Sequence, residues 1–399
     1  MSRAGLVISG LVIAVICAVA GIQLWDTVVP TDLKLDTGAA SRAFKGEAAE
    51  DARSFEALMR WLFIATQLLT IATLFVYARR AGTFLKESAA GPIGTGFLMG
   101  MMGISIVWLV SVPFGLVETW WARKHDALEA NYLDYLLNTF FALTGEAVSL
   151  CVVLLIAMGL ARLVRSAWFI PSAVTLGAVI LLLAWGMPYL YPGLEEPPND
   201  IATDARPLAE EQDVEDVPVR VENVSEYISQ PNAFAMGLGD SRKIVLWDTL
   251  VDDFDRDEVR SVVSHEYGHH EHDHIAKGIG WSVLFALPAA FVVMLLTRRW
   301  KGGLANPAAV PTALLIVVVL QLVTSPITSG ASRRYEAEAD WAALQATKDP
   351  QAMVDVHRNF TEEALSDPDP PEWFHWMFDS HPSGAERVAM ARAWRARNR

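Results

Sequence analysis

The chain has 399 residues, of which 52% are apolar and 20% are charged, and its mean hydropathy is +0.28, higher than is typical of a soluble protein. The segment 195–273 holds 21 acidic and 6 basic residues and so accounts for the whole formal net charge of −14. This distribution excludes a basic nucleic-acid-binding protein, a disordered acidic chain and a simple cytosolic enzyme. It predicts an integral membrane protein, mainly α-helical, with an acidic soluble insert.

Seven long apolar runs predict transmembrane helices, because a spanning helix needs roughly 20 mostly apolar residues. Six runs carry no charge, and the run at 135–161 is interrupted only by Glu146, a position that favours a cavity or a partner if it lies at membrane depth. The first run also has the features of a signal peptide, with Ala18-Val19-Ala20 as a cleavage site, and both interpretations stay open. The seven runs are 4–25, 61–78, 88–117, 135–161, 166–194, 278–297 and 302–332.

A small α+β unit is predicted from the insert between the fifth and sixth spans. Residues 195–216 are rich in acids and proline and indicate a linker. Strands are predicted at 217–221, with Pro218 favouring a sheet edge, and at 232–238 and 243–247, joined by a turn at 239–242. Asp255 and Glu258 have the spacing of a capping box that opens a helix.

After the seventh span, the pattern predicts further helices at 333–346, 351–365 and 383–397, with a loop at 366–371. The chain therefore divides into a membrane part of five spans, the insert, the last two spans and a C-terminal part. These four parts are 1–194, 195–275, 276–332 and 333–399.

The strongest chemical signal is the sequence His265-Glu266-Tyr267-Gly268-His269, which is an HExxH pattern on the capped helix. Residues four apart share one face of a helix, so both imidazoles can reach a single Zn²⁺ ion. Glu266 then lies beside the ion and can take a proton from the metal-bound water. Because the bare pattern also occurs by chance, the interpretation depends on a third ligand.

Glu336 and Asp340 supply the candidates on a second helix, where they again stand four residues apart. Glu336 can complete a His₂Glu zinc site, and Asp340 can accept a hydrogen bond from the free nitrogen of a ligand histidine. The two intervening spans form a hairpin that returns the chain to the same membrane face. The alternative for Glu336 is an ordinary charged helix surface.

Three further histidines, His270, His272 and His274, follow the motif closely. A run of closely spaced histidines is also typical of a surface tract that binds metal unspecifically. These three are therefore expected to flank the site and to face solvent.

The HExxH pattern, the downstream Glu-x-x-x-Asp and seven spans together resemble the type I CaaX prenyl proteases, which are membrane-embedded zinc endopeptidases of the gluzincin type. Residues 232–239, Asn-Ala-Phe-Ala-Met-Gly-Leu-Gly, resemble the family's Asn-Ala-aromatic strand, and 244–250 resemble its next strand. His381-Pro382 and Arg387 resemble its C-terminal His-Pro motif, although Ser383 stands where a second proline is common. The specific motifs cover roughly residues 208–390.

The resemblance implies one Zn²⁺ ion held by His265, His269 and Glu336, with Glu266 as general base and Asp340 behind the ligands. It also implies that His381 and Arg387 lie near the substrate or the transition state. An edge strand formed by Asn232, Ala233, Phe234 and Ala235 would pair with the substrate backbone. The spans would enclose a large chamber within the membrane, with the active site at its rim.

Three functions are open to a membrane chain with these residues, the third being a catalytically silent scaffold, against which the intact Glu266 argues. The first is hydrolysis of peptide bonds in membrane-associated or lipidated polypeptides, either as a CaaX prenyl protease or, in a bacterium, in membrane-protein quality control. The second is a metal transporter with a histidine-rich loading site, which predicts ionisable residues inside several spans. Sidedness stays open, because the arginines of the short loops favour an external catalytic part whereas the family's site faces the cytosol.

Overall fold

The computed structural model of the chain describes residues 2–85, 91–128 and 131–398. Within these residues the backbone forms fifteen α-helices, four β-strands and four short 3₁₀ helices. The α-helices are α1 Arg3–Leu24, α2 Thr37–Ser41, α3 Glu47–Arg79, α4 Ala81–Phe84, α5 Gly91–Lys124, α6 Tyr132–Leu163, α7 Phe169–Leu190, α8 Asn199–Glu211, α9 Asp248–Asp253, α10 Arg256–Glu271, α11 His274–Thr297, α12 Val310–Thr347, α13 Pro350–Glu363, α14 Glu372–Phe378 and α15 Gly384–Arg397. The strands are β1 Leu194–Glu195, β2 Val219–Glu222, β3 Ala233–Met236 and β4 Lys243–Trp247, and the 3₁₀ helices are Arg165–Ala167, Gly239–Ser241, Gly303–Ala305 and Pro307–Ala309.

Six helices in the described part of the chain are long and apolar enough to cross a membrane, namely α1, α3, α5, α7, α11 and the apolar part of α12. The seventh predicted run, 135–161, lies within α6, of which Ser149–Leu163 forms a shorter apolar stretch. The side chain of Glu146 lies outside the described residues. The chain thus has the helices of a multi-pass membrane protein, and the count of seven spans stays a prediction.

The membrane helices share one apolar core to which α1, α3, α5, α6, α7, α11 and α12 all contribute. Tyr77 of α3 donates a hydrogen bond to the carbonyl of Met99 in α5, at 2.8 Å, within this core. A buried hydroxyl needs such a partner, because no water is present to replace it. The core therefore packs the spans against each other while many outward-facing leucine and valine side chains remain exposed.

Helix α12 continues from the membrane part into the soluble part without interruption over 38 residues. The sequence predicted a span at 302–332 and a separate helix at 333–346. The hydropathy changes at Arg333, but the residues that follow are good helix formers, so the backbone hydrogen bonding continues. A rigid element thus connects the bilayer-facing helices to the soluble part.

The four strands form one sheet in the order β1-β2-β4-β3, in which β2 and β4 are parallel and the other pairs antiparallel. The predicted turn after β3 is confirmed, since a 3₁₀ turn joins β3 to β4 as antiparallel neighbours. The edge position expected for the first strand is wrong, because β2 pairs on both sides. Pro218 precedes the first paired residue, and its carbonyl accepts from the Ile244 N–H, so its missing N–H leaves no gap in the ladder.

The linker predicted at 195–216 is also wrong, because most of it forms α8. Ile201, Ala205, Leu208 and Ala209 are buried against the sheet and α10. They recur at the spacing of one helical face, whereas the acidic residues lie on the other side. In the sequence, the many acidic residues of this segment obscure the helical spacing of its apolar residues.

The capping box at the start of α10 is confirmed, since the Glu258 side chain accepts from the Asp255 N–H at 2.8 Å. Further along, α10 crosses α12 at Gly268. A Cβ atom added there would lie 3.0 Å from the Ala339 Cα and 3.1 Å from the Ala342 Cβ. The two helices therefore approach as closely as they do only because residue 268 has no side chain.

We expect Gly268→Ala to destabilise the protein by about 1–3 kcal/mol, because the added methyl group meets helix backbone that cannot move without repacking. Gly186→Ala is the matched control, since a Cβ atom at Gly186 of α7 meets nothing within 4 Å. Thermal unfolding of both variants in the same detergent measures the difference. Equal midpoints for the two variants would contradict a tight α10–α12 contact.

Candidate metal centre

Helix α10 presents His265 and His269 on one face, one turn apart. Their Nε2 atoms lie 3.2 Å from each other. Burial lowers the pKa of His269 to about 3. Burial also disfavours the charged form of His265, but hydrogen bonds to Asp340 and Glu336 outweigh it and raise the pKa of His265 to about 10. The two Nε2 atoms thus converge on one point, as two ligands of a single metal ion do.

Helix α12 brings Glu336 to the same point. Its Oε2 lies 3.3 Å from Nε2 of His265, and its Oε1 lies 3.5 Å from Nε2 of His269. Ligand atoms at 2.0–2.1 Å from a tetrahedral ion are about 3.3 Å apart. The two imidazole nitrogens and the carboxylate group therefore have the spacing of three protein ligands of one metal ion, as in a four-coordinate site with one open position.

A buried ion-pair network contacts the candidate metal donors on the side away from the metal position. Nδ1 of His265 lies 2.9 Å from Oδ1 of Asp340, so a proton on Nδ1 leaves Nε2 free for a metal. Arg387 donates from Nε to Asp340 (2.8 Å) and from Nη2 to Glu336 (3.0 Å). Asp340 and Arg387 thus orient two of the three donor side chains.

Glu266 is buried beside the donor atoms, and its carboxylate lies within 4.8 Å of the imidazole nitrogens of His265 and His269. Burial raises the pKa of Glu266 to about 7, and a backbone hydrogen bond from Ala235 acts against this rise. A carboxyl with a pKa near neutrality is suited to accept and return a proton.

The expectation that His274 faces solvent is wrong. Its Nδ1 lies 2.9 Å from Nδ1 of His269, and its Nε2 lies 2.9 Å from Oε2 of the fully buried Glu338. The ring also stacks on Tyr335, with centroids 4.8 Å apart. His274 and Glu338 therefore hold the second imidazole as Asp340 holds the first, a role that spacing alone did not show.

His270 is also buried, and its Nε2 lies 3.2 Å from the carbonyl of Lys243. It joins α10 to the sheet and does not face solvent as expected. His272 is only partly buried and lies 3.9 Å from the Glu271 carboxylate. Of the three flanking histidines, His274 supports the site, His270 supports the fold and His272 is partly exposed.

His381 approaches the centre from the loop before α15. Its Nε2 lies 3.5 Å from Oε1 of Glu336, and its side chain is 64% exposed, so it borders both the donor atoms and open space. His357 of α13 lines the same space, and burial lowers its pKa to about 3, which keeps it neutral. Its position twenty-one residues after Glu336 in sequence carried no signal for this placement.

A cavity of about 740 Å³ opens over these groups. On one side it is bordered by β3 and α13, and on the other by the apolar residues of α11 and α12. All four predicted strand residues line it, namely Asn232, Ala233, Phe234 and Ala235. The structure thus brings all the sequence-predicted site residues to one cavity.

Residues 196–395 match the model of Peptidase family M48. The chain belongs to this family. The match covers strands β2, β3 and β4, the HExxH helix, the last two membrane helices and the C-terminal helices that surround the cavity. It includes every side chain of the candidate metal centre.

Similar proteins include the "Uncharacterized metalloprotease YhfN" of Bacillus subtilis, 31% identical over 46% of this chain and 45% of YhfN. Protease HtpX of Legionella pneumophila is 26% identical over 41% of this chain and 67% of HtpX. The CAAX prenyl protease 1 homolog of Dictyostelium discoideum is 28% identical over 29% of each chain. The aligned part therefore spans less than half of YhfN.

The crystal structure of S. mikatae Ste24p has a similar fold, with a TM-score of 0.67 over 96% of this chain and 97% of that chain. Sequence identity over this alignment is 17%, so the likeness concerns the fold. It extends beyond the family match and includes the N-terminal membrane helices, in agreement with a multi-pass membrane protein.

We expect His274→Ala and Glu338→Gln to weaken Zn²⁺ binding roughly 10–100-fold, because the first removes the partner of the His269 ring and the second removes the carboxylate that holds that partner. His274→Gln should restore part of the affinity. The Zn²⁺ affinity of each variant is measured by competition between the metal-depleted protein and a chromogenic chelator. His272→Asn is the control, and affinities equal to that control would contradict the orienting role.

Proposed function

We propose that the protein is an integral membrane zinc metalloendopeptidase. The observation that carries the proposal is the spacing of 3.2, 3.3 and 3.5 Å among Nε2 of His265, Nε2 of His269 and the Glu336 carboxylate, with Glu266 beside them. Two imidazoles and one carboxylate that leave one position open are typical of catalytic zinc. Membership of a peptidase family supports this function and weighs against the metal transporter.

His265, His269 and Glu336 would hold one Zn²⁺ ion, which when bound supplies Lewis-acid chemistry for the scissile carbonyl and the attacking water. Glu266 accepts the proton of that water and delivers it to the leaving amide nitrogen. Its burial favours this exchange, because a carboxyl with a pKa near neutrality both takes up and releases a proton readily.

His381 is the residue best placed to contact the developing oxyanion, because it is the more exposed of the two candidates and borders the cavity. Arg387 has its guanidinium committed to Asp340 and Glu336. We therefore assign Arg387 the task of orienting the Glu336 carboxylate, to which its Nη2 donates.

The edge of β3 would bind the substrate as an added strand. The carbonyl of Asn232 accepts from the Trp247 N–H, so the backbone groups of Asn232 face β4. In an antiparallel pair the next residues alternate, so the backbone groups of Ala233 and Ala235 face away from β4. The Ala233 N–H donates to Oδ1 of Asn232 and the Ala235 N–H to Glu266, so the carbonyls of this edge would accept from the substrate backbone. An extended peptide on this edge would pass the metal centre with its backbone fixed.

The substrate class proposed is membrane-associated or lipidated polypeptides. The cavity supports this class because α11 and α12, which are candidate spans, form one of its walls, with Trp281 and Phe285 among the lining residues. A relative is named a CAAX prenyl protease homolog and others are named HtpX, so both prenylated peptides and other membrane proteins are substrates to be tested.

Glu266→Gln should retain Zn²⁺ and reduce peptide cleavage by at least about 100-fold, because the amide keeps the shape of the side chain but cannot take up a proton. Metal content by mass spectrometry and cleavage of a fluorogenic peptide in detergent measure the two effects. Full activity of this variant would refute the mechanism. Activity of the wild-type protein that survives complete removal of zinc would refute the metal assignment.

Substrate peptides with N-methylated backbone amides test the edge strand. Methylation at alternate positions should raise KM, because those amides face β3, whereas methylation at the intervening positions should have little effect. Kinetics on the two series of peptides, matched in sequence, separate the contributions. An equal response at all positions would contradict strand addition.

A further inference from the structure

Helix α14, Glu372–Phe378, presents two tryptophans to the outside of the molecule. Trp373 is 50% exposed and Trp376 is 59% exposed, whereas Phe374 between them is buried. No element is predicted at 372–382 from the sequence, where the apolar run is too short to show a helical period. An exposed aromatic face of this kind indicates a surface that contacts a partner or a membrane.

The depth of α14 follows from the two membrane helices that it contacts. On α3 it packs near the start of the uncharged run at 61–78, where Phe63 lies 6.0 Å from Phe374 between ring centroids. On α12 it packs near the end of the uncharged run at 302–332, where Ser329 donates to the carbonyl of Met377. Both spans leave their apolar stretch at this level, so α14 lies where hydrocarbon gives way to headgroups.

An exposed tryptophan of the neighbouring helix α3 lies at the same level as α14. Trp61 of α3 is 65% exposed, and its ring centroid lies 6.4 Å from that of Trp373. Tryptophan is enriched at membrane interfaces, because its ring is largely apolar and its N–H can reach water and headgroups. The exposed face of α14 is therefore continuous with the lipid-facing surface of a span.

We propose that α14 is an interfacial helix whose Trp373 and Trp376 insert into the headgroup region of the bilayer on the catalytic side. The occupant of this face is lipid, because the face adjoins a spanning helix at its point of emergence. A protein partner would have to bind at the depth of the lipid headgroups.

The interfacial position bears on the metal centre because α14 leads directly into His381. Arg333 of α12 donates to the carbonyls of His375, Trp376 and Asp379 and so fixes the end of α14. His375 lies 3.0 Å from the Asp379 carboxylate and 3.1 Å from that of Glu386 in α15. The loop that carries His381 thus lies between α14 and α15. The depth of α14 at the bilayer surface therefore determines where this loop lies relative to the membrane.

The depth is tested with an environment-sensitive fluorophore on Trp376→Cys, in a background in which Cys17 and Cys151, the two native cysteines, are replaced by alanine. The protein is reconstituted in vesicles of phosphatidylcholine and phosphatidylglycerol. We expect strong quenching by phosphatidylcholine brominated on its acyl chains and weak quenching by aqueous iodide. Asp257→Cys is the matched control, since its side chain is 69% exposed in the soluble part, and it should show the reverse order.

Iodide access at position 376 equal to that at 257 would overturn the proposal. Protection from iodide that disappears as the protein is diluted in the vesicles would also overturn it, because a second copy of the chain would then be the occupant. Trp373→Cys repeats the measurement should the first variant fold poorly. None of these readouts requires peptidase activity, so their failure is distinct from failure of the proposed function.

The coupling to the metal centre is tested with a spin label on Ser380→Cys, next to His381. Replacing Trp373 and Trp376 by serine should increase the mobility of this label in vesicles, because the loop loses its interfacial support. Trp120→Ser is the control, since Trp120 is an exposed tryptophan of α5 outside this loop. Identical spectra for the two variants would overturn the coupling.

Discussion

The close approach of α10 and α12 at Gly268 is the constraint on which the rest of the structure depends. Helix α10 carries two imidazoles and a carboxyl, and α12 carries the third donor, so neither helix forms the site alone. A 3.0 Å margin between an added Cβ and the α12 backbone means that a single methyl group would separate them. Packing of helix backbones thus determines the spacing of the donor atoms.

The buried charges around the site are stable because each has a defined partner. Asp340 and Glu336 share Arg387, and the imidazole of His274 lies against Glu338. A carboxylate buried without such a partner would cost several kcal/mol, as desolvation is not repaid. The same contacts hold the ligand imidazoles in place. One network thus both compensates the buried charges and orients the candidate ligands.

The candidate site lies between the apolar membrane helices and the soluble part of the chain. Helix α12 extends from the apolar core to Glu336 as one continuous helix with Pro326 inside it, so the candidate metal centre lies a fixed number of helical turns from that core. The cavity is accordingly bordered by a soluble strand on one side and by spanning helices on the other. Such a cavity suits a substrate that is itself held at the membrane.

The sequence by itself determined the class of protein, the apolar helices, the capped HExxH helix and the candidate donor residues, because hydropathy and helical spacing are local properties. It misjudged α8, the position of β2 and the surroundings of His270 and His274, since acidic composition and close histidine spacing carry no information about which face is buried. Only the tertiary structure decided that His274 meets Glu338, sixty-four residues away, and that α14 packs against α3 and α12. Those contacts join elements distant in sequence, and their geometry follows from packing.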